Sequence, residues 1–208
     1  MSFSSIPTFL SRIARPLTTS SAKMSDASGQ TLATPPIPAG AHKATVAAGC
    51  FWGVEQEYRK HFGDKLYDAR VGYIGGDTSS PSYRAVCSGE TGHAEATQLV
   101  FDPEKVSYRA LLEFFYRMHD PTTKNQQGND RGTQYRSGIF YHDDEQERVA
   151  RDVTAKANEQ WWGGKVKTEI LPAKQWWDAE EYHQKYLDRN PFGYVCASHH
   201  LRKFPELK

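Results

Sequence analysis

Residues 44–58, ATVAAGCFWGVEQEY, limit the fold more than any other part of this chain. A short apolar run of strand type ends at Gly49, and apolar residues then recur at helical spacing: Phe51, Val54, Tyr58 and Phe62. Cys50 therefore falls where a strand hands over to a helix. A thiol in a helix's first turn faces unpaired backbone N–H groups and the positive end of the helix dipole, both of which favour thiolate. Gly49 and Gly53 permit a tight turn and the close approach of another group. Phe51 and Trp52 can wall an apolar pocket beside the sulfur. From this stretch alone, a buried structural cysteine is an equally good reading, because unpaired cysteines are mostly core residues.

The 208 residues fit one domain with tails, and the formal net charge of +1 gives no reason to expect nucleic acid or a membrane surface. No apolar run is long enough to cross a bilayer. The 5 Trp, 11 Tyr and 10 Phe can fill a core or line a ligand pocket. Three widely separated cysteines, Cys50, Cys87 and Cys196, argue against a disulfide-stapled secreted scaffold and fit a reducing compartment. No Cys-x-x-Cys pair supports a zinc knuckle, and Cys196, His199 and His200 lie in a tail where histidines are normally solvated. No metal site is expected.

Residues 1–43 read as a flexible extension, Pro- and Ser-rich with a single acid, Asp26. Arg12, Arg15 and Lys23 among apolar residues give it the composition of a mitochondrial transit peptide, so a cytoplasmic or mitochondrial location is expected. Within this extension the PPIP run at 35–38 reads as an extended linker or strap.

The ordered domain, 44–208, begins with strand 44–48, helix 51–62 and strand 66–73, followed by the GYIGG turn and a polar stretch with a helical turn near 81–87. The strand after His93 alternates. Glu95, Thr97, Leu99 and Phe101 share one side, which would bury a carboxylate; the opposite assignment leaves Glu95 in water. Ser107 reads as the cap of a helix bearing Leu111, Leu112, Phe115 and Met118. A long loop at 119–137 is of the kind that carries binding groups. Strand 135–141, a helix from Asp143, strand 166–171 and helix 178–187 follow, then an irregular tail able to travel. Alternating strands and helices give an α/β two-layer domain.

Three chemistries compete. In the first, a thiol redox enzyme, Cys50 attacks, a second cysteine resolves the oxidised form and an acid supplies protons. Cys50 can alternatively pair with His93, His119 or His183 in a hydrolase. The third reading is a non-enzymatic peptide-binding module built on the aromatics. Cys87 is expected to be buried, with a Cys50–Cys87 disulfide as the alternative.

GCFWG at 49–53, GYIGG at 72–76, YRAVCSGETGHAE at 83–95, HDPTT at 119–123, DRGTQYRS at 130–137, AEEYHQKYL at 179–187 and GYVC at 193–196 resemble the A-type peptide methionine sulfoxide reductases, the fungal and plant members most of all. The resemblance implies an α+β fold with a ferredoxin-like core, and reduction of the S epimer of methionine sulfoxide, free or in proteins, by a monomer without bound cofactor. It further implies Cys50 as nucleophile, Phe51 and Trp52 against the substrate methyl, and Tyr83, Glu95, Asp130 and Tyr135 around the sulfoxide oxygen, with Glu95 as proton donor. Cys196 would resolve Cys50 as a disulfide, which thioredoxin would reduce. The sulfur is chiral, so a methyl slot and donors aimed at the oxygen would together select the epimer.

Overall fold

The computed structural model describes residues 37–208. The leader and the first two residues of the PPIP strap, Pro35 and Pro36, lie outside the described residues. Strand β1 (His42–Ala48) runs into helix α1 (Phe51–Phe62), and β2 (Leu66–Ile74) returns along the sheet. A short helix, α2 (Tyr83–Cys87), precedes β3 (Ala94–Phe101) and α3 (Tyr108–Met118). A two-stranded hairpin, β4 (Gln126–Gln127) and β5 (Asp130–Arg131), organises the long loop before β6 (Ser137–Tyr141). Helix α4 (Asp144–Gln160), edge strands β7 (Glu169–Pro172) and β8 (Trp177–Asp178), and the one-turn α5 (Tyr186–Arg189) complete the elements.

The main sheet has the order β7-β6-β1-β3-β2-β8. Its central four strands, β6-β1-β3-β2, are all antiparallel neighbours, the ferredoxin-like arrangement within an α+β fold. Ser107 and Asp143 cap α3 and α4 through side chains that accept from Ala110 N–H and Gln146 N–H. The stripe Val54, Tyr58 and Phe62 packs with Leu111, Leu112, Phe115 and Met118 of α3 and with Val153 and Ala157 of α4, on the sheet face bearing Ala44, Leu99 and Phe101. Burying each of these large side chains stabilises the fold by about 1.5–3 kcal/mol. Ala47, Ile74, Ala94, Ala96 and Phe140 form the second face, covered by Ala173 and Trp176.

Every residue of β3 is buried, so both of its faces meet protein. Glu95 is therefore on the helix side with Leu99 and Phe101, and its solvated alternative fails. The Val46↔Thr97 register, carried two residues further, sets Ala48 beside Glu95, while Tyr73 pairs with Glu95 from the other side. The ends of β1 and β2 thus converge on the start of β3.

The expected helix at 178–187 does not form. Trp177 and Asp178 extend the sheet, residues 181–183 make a single 3-10 turn, and Lys185 is left-handed at φ 50°. The side chain of Gln184 bonds both N–H and C=O of Val71, and Glu180 accepts from Tyr73 Oη at 2.8 Å and Tyr83 N–H at 2.9 Å. Those tertiary bonds outweigh the local helical pattern. Strand 166–171 likewise shifts to Glu169–Pro172, where β6 offers a parallel partner.

Candidate active site

Cys50 occupies the N-cap of α1, and Gly49 before it has φ +92°. That backbone conformation, together with Gln127 packed against the Gly49 Cα, leaves no room for a side chain there: an added Cβ would sit 2.5 Å from Gln127 Cβ. The sulfur is thereby delivered to the convergence of β1, β2 and β3. Cys50 is 8% exposed, Glu95 1% and Cys196 1%. Phe51 N–H, the amide next to the thiol, donates to Glu95 Oε2 at 3.1 Å.

Burial pushes the Glu95 carboxyl up to about 8; the Phe51 N–H opposes this and the charge of Asp130 adds to it. Burial also drives the Cys50 thiol well above its ordinary value, aided by the charges of Glu95 and Asp130, while Trp52 and Gly53 N–H groups pull it down. The expectation of a thiolate favoured by the helix start is thus corrected. The N–H groups act in the expected direction, but burial and a neighbouring carboxylate outweigh them. The two groups are coupled: a neutral Glu95 removes one of the causes that keep the thiol protonated.

The other predicted residues gather around this pair. Burial raises both phenols, Tyr83 and Tyr135, and each also feels Glu95; Tyr135 in addition feels Cys87, Cys50 and Asp130. Asp130, on β5, accepts from Tyr194 Oη at 2.8 Å, and its Oδ2 is buried without a partner. It is not the local backbone cap that its turn-prone sequence implies. Cys87 is exposed, correcting the expected burial; it closes the five-residue α2, and its thiol feels Tyr83, Glu95 and Glu180.

Phe51 is buried with Val71, Tyr73, Val86 and Ala179, with Trp52 and Tyr83 packed against the cluster. Trp52 stacks on Tyr186 at a 3.7 Å centroid distance, and its Nε1–H donates to His183 Nδ1 at 3.0 Å. The His183 ring also lies 4.5 Å from that of Tyr83. Sequence reasoning missed the support that Tyr73, Glu180 and His183 give to this wall. The only available signal was that Glu180 and His183 fall within the AEEYHQKYL block.

The histidines considered as hydrolase partners are engaged elsewhere. His93 bonds Gly76 N–H and Thr78 O, and His119 lies between Phe115 O and Ser137 Oγ. His183 receives Trp52. Among the described residues, no group of three or more His, Cys, Asp or Glu side chains could hold a metal ion. The tail, although irregular, brings Cys196 back to the site: its Sγ–H donates to Gln127 O at 3.4 Å, and its thiol feels Asp130 and Tyr194. A buried thiol beside a high-pKa acid, with a second thiol docked nearby, defines a thiol redox protein better than a hydrolase.

Comparison with known proteins agrees. A family model described as peptide methionine sulfoxide reductase matches residues 42–207. The peptide methionine sulfoxide reductase of Saccharomyces cerevisiae is 49% identical over 168 residues, covering 76% of this chain and 89% of its own length. A Mycobacterium sp. (strain MCS) relative named peptide methionine sulfoxide reductase MsrA is 53% identical over 155 residues, with 74% and 87% coverage. The crystal structure of Mxr1 from Saccharomyces cerevisiae in reduced form superposes with a TM-score of 0.77 at 46% identity, over 80% of this chain and 94% of that one. The same yeast protein in complex with Trx2 gives a TM-score of 0.58 at 30% identity, with coverage of 84% and 97%. The chain belongs to the peptide methionine sulfoxide reductase family.

Proposed function

We propose that this chain reduces the S epimer of methionine sulfoxide, free and within proteins, to methionine, with thioredoxin as the reductant. The observation that carries the mechanism is Glu95: a carboxyl 1% exposed, pushed up to about 8, with one oxygen fixed by the N–H of Phe51 beside the thiol. Such an acid holds its proton near neutrality, and its other oxygen is left to present that proton.

A sulfoxide oxygen is a strong acceptor and a poor leaving group, so attack on sulfur requires protonation of the oxygen. Glu95 gives its proton to that oxygen as the Cys50 sulfur attacks the sulfoxide sulfur; the substrate S–O bond then breaks, the oxygen ends bonded to Cys50 Sγ as sulfenic acid, and methionine leaves. The thiol's proton restores Glu95, so sulfoxide and thiol yield methionine and Cys50 sulfenic acid. Tyr83 and Tyr135 add O–H donors, and Phe51 and Trp52 receive the methyl group. The Cys196 thiol then condenses with the sulfenic acid to a disulfide and water. Thioredoxin reduces that disulfide by exchange; the complex of the yeast relative with Trx2 supports this partner.

A thioredoxin-coupled assay with separately prepared S and R sulfoxides tests the reading. Turnover is expected with the S epimer alone and is expected to vanish in Cys50→Ser; equal turnover of both epimers would refute the stereochemical assignment, and turnover by Cys50→Ser the nucleophile.

A further inference from the structure

His199 sits in a seat that nothing in the reductive chemistry requires. It belongs to the irregular tail yet is only 6% exposed, which corrects the expectation of a solvated histidine; its neighbour His200 is exposed. Its Nε2–H donates to Ala48 O at 2.7 Å, the carbonyl of the last residue of β1 and two residues before Cys50. The ring lies on the first turn of α1. A Cβ on Gly53 would come 2.3 Å from Nδ1, and one on Gly49 would come 3.4 Å from Nε2. The two glycines that flank Cys50 therefore leave the space in which this imidazole rests.

The backbone of the same residue ties its seat to the second thiol. His199 N–H donates to Cys196 O at 2.9 Å, closing residues 196–199 into one turn, so the placement of His199 sets that of Cys196. Cys196 Sγ reaches Gln127 O, and Gln127 is the residue packed on Gly49. Beyond the ring the chain is held again: His200 N–H donates to Met118 O at 3.1 Å and Arg202 N–H to Arg117 O at 2.9 Å. Phe204 stacks on Trp161 with centroids 5.1 Å apart. The Nδ1 of His199 is buried with no partner, an arrangement that packing for stability alone does not favour.

We infer that His199 is a positioning residue for the resolving step: its seat on Gly53 and its bond to Ala48 O hold the Cys196 turn beside the nucleophile, so that Cys50 sulfenic acid meets a thiol before it meets another oxidant. The inference rests on the reaction proposed above. Two fates compete for the sulfenic acid. Condensation with the Cys196 thiol forms the S–S bond and releases water; reaction with hydrogen peroxide forms Cys50 sulfinic acid and also releases water. Proximity decides between them, and small misplacements of a reacting group lower rates by large factors.

The test follows one turnover of the full chain with the S sulfoxide of methionine, recording methionine formed and thiols lost over time, with and without hydrogen peroxide. In His199→Ala, methionine formation should keep its wild-type rate, while thiol loss slows by roughly ten- to a hundredfold. Cys50 sulfinic acid should then accumulate when peroxide is present. His199→Gln places an N–H donor near the Nε2 position and should restore most of the closing rate. Gly53→Ala keeps the histidine but fills its seat, and should slow closure as His199→Ala does. Wild-type closure in His199→Ala or Gly53→Ala would overturn the inference. So would a His199→Gln as slow as His199→Ala, or an equal loss of methionine formation and closure. If wild-type protein forms no methionine from the S sulfoxide, the reaction itself is wrong, which is visible before any variant is compared.

Discussion

Replacing Glu95 by glutamine should make this protein more stable and nearly inactive. The carboxyl titrates at about 8 when folded, against an ordinary value of 4.5. Between those two pH values the folded state binds more protons than the unfolded state. Stability from this group is thus fully present below about pH 4.5 and is lost as pH rises through about 8, at about 1.4 kcal/mol per pH unit. At pH 7 the accumulated cost is of order 3 kcal/mol. Glutamine is neutral throughout and keeps an oxygen for the Phe51 N–H, so Glu95→Gln should recover an amount of that order. Urea unfolding from pH 5 to 9, followed by tryptophan fluorescence, measures it. Glu55, buried and pushed up to about 7 by burial against the opposing charge of Arg59, adds a similar slope to both proteins, so the difference between the two curves isolates Glu95. The gap should widen from pH 5 to 8 and then level off. Methionine formation in a single turnover should fall by roughly 10²–10⁴ because the proton donor is gone. A variant no more stable than wild type, with a pH-independent gap, would refute the reading of Glu95 as a buried, proton-holding acid. Loss of substrate binding as large as the loss in rate would make it a positioning group.

Cys196→Ser should form one methionine per enzyme and then stop, with no thioredoxin-linked cycling; steady cycling at the wild-type rate would assign resolution to another thiol or to the reductant itself. Cys87 is exposed at the end of α2, so Cys87→Ser should keep both the stoichiometry and the cycling, as thiol counting would record. Trp52→Ala removes the indole that stacks on Tyr186 and bonds His183, and kcat/KM for the sulfoxide should fall by roughly ten- to a hundredfold, chiefly through KM. An unchanged KM would remove Trp52 from the methyl wall.

Much of the scaffold was legible because hydrophobic period and capping chemistry act locally. Helix Phe51–Phe62 and the caps at Ser107 and Asp143 follow from apolar spacing and from Ser and Asp at helix starts. The strand of Glu95 was ambiguous by pattern, since a central strand is buried on both faces and alternation then carries no signal. The helix expected at 178–187 failed because Glu180 and Gln184 bond to Tyr73, Tyr83 and Val71, partners about a hundred residues away. Helix-start logic gave the direction of the N–H effect on Cys50 but not the outcome, because burial and the Glu95 charge depend on tertiary packing. His199 was misjudged for the same reason: the space that buries it exists only once Gly49 and Gly53 are folded against the tail.

The most direct test of the central claim is a stopped single turnover with the S sulfoxide, followed by mapping of disulfide-linked peptides. Two thiols lost per methionine formed and a single Cys50–Cys196 link are expected. Methionine formed without thiol loss, or a link that joins Cys50 to Cys87, would contradict that claim.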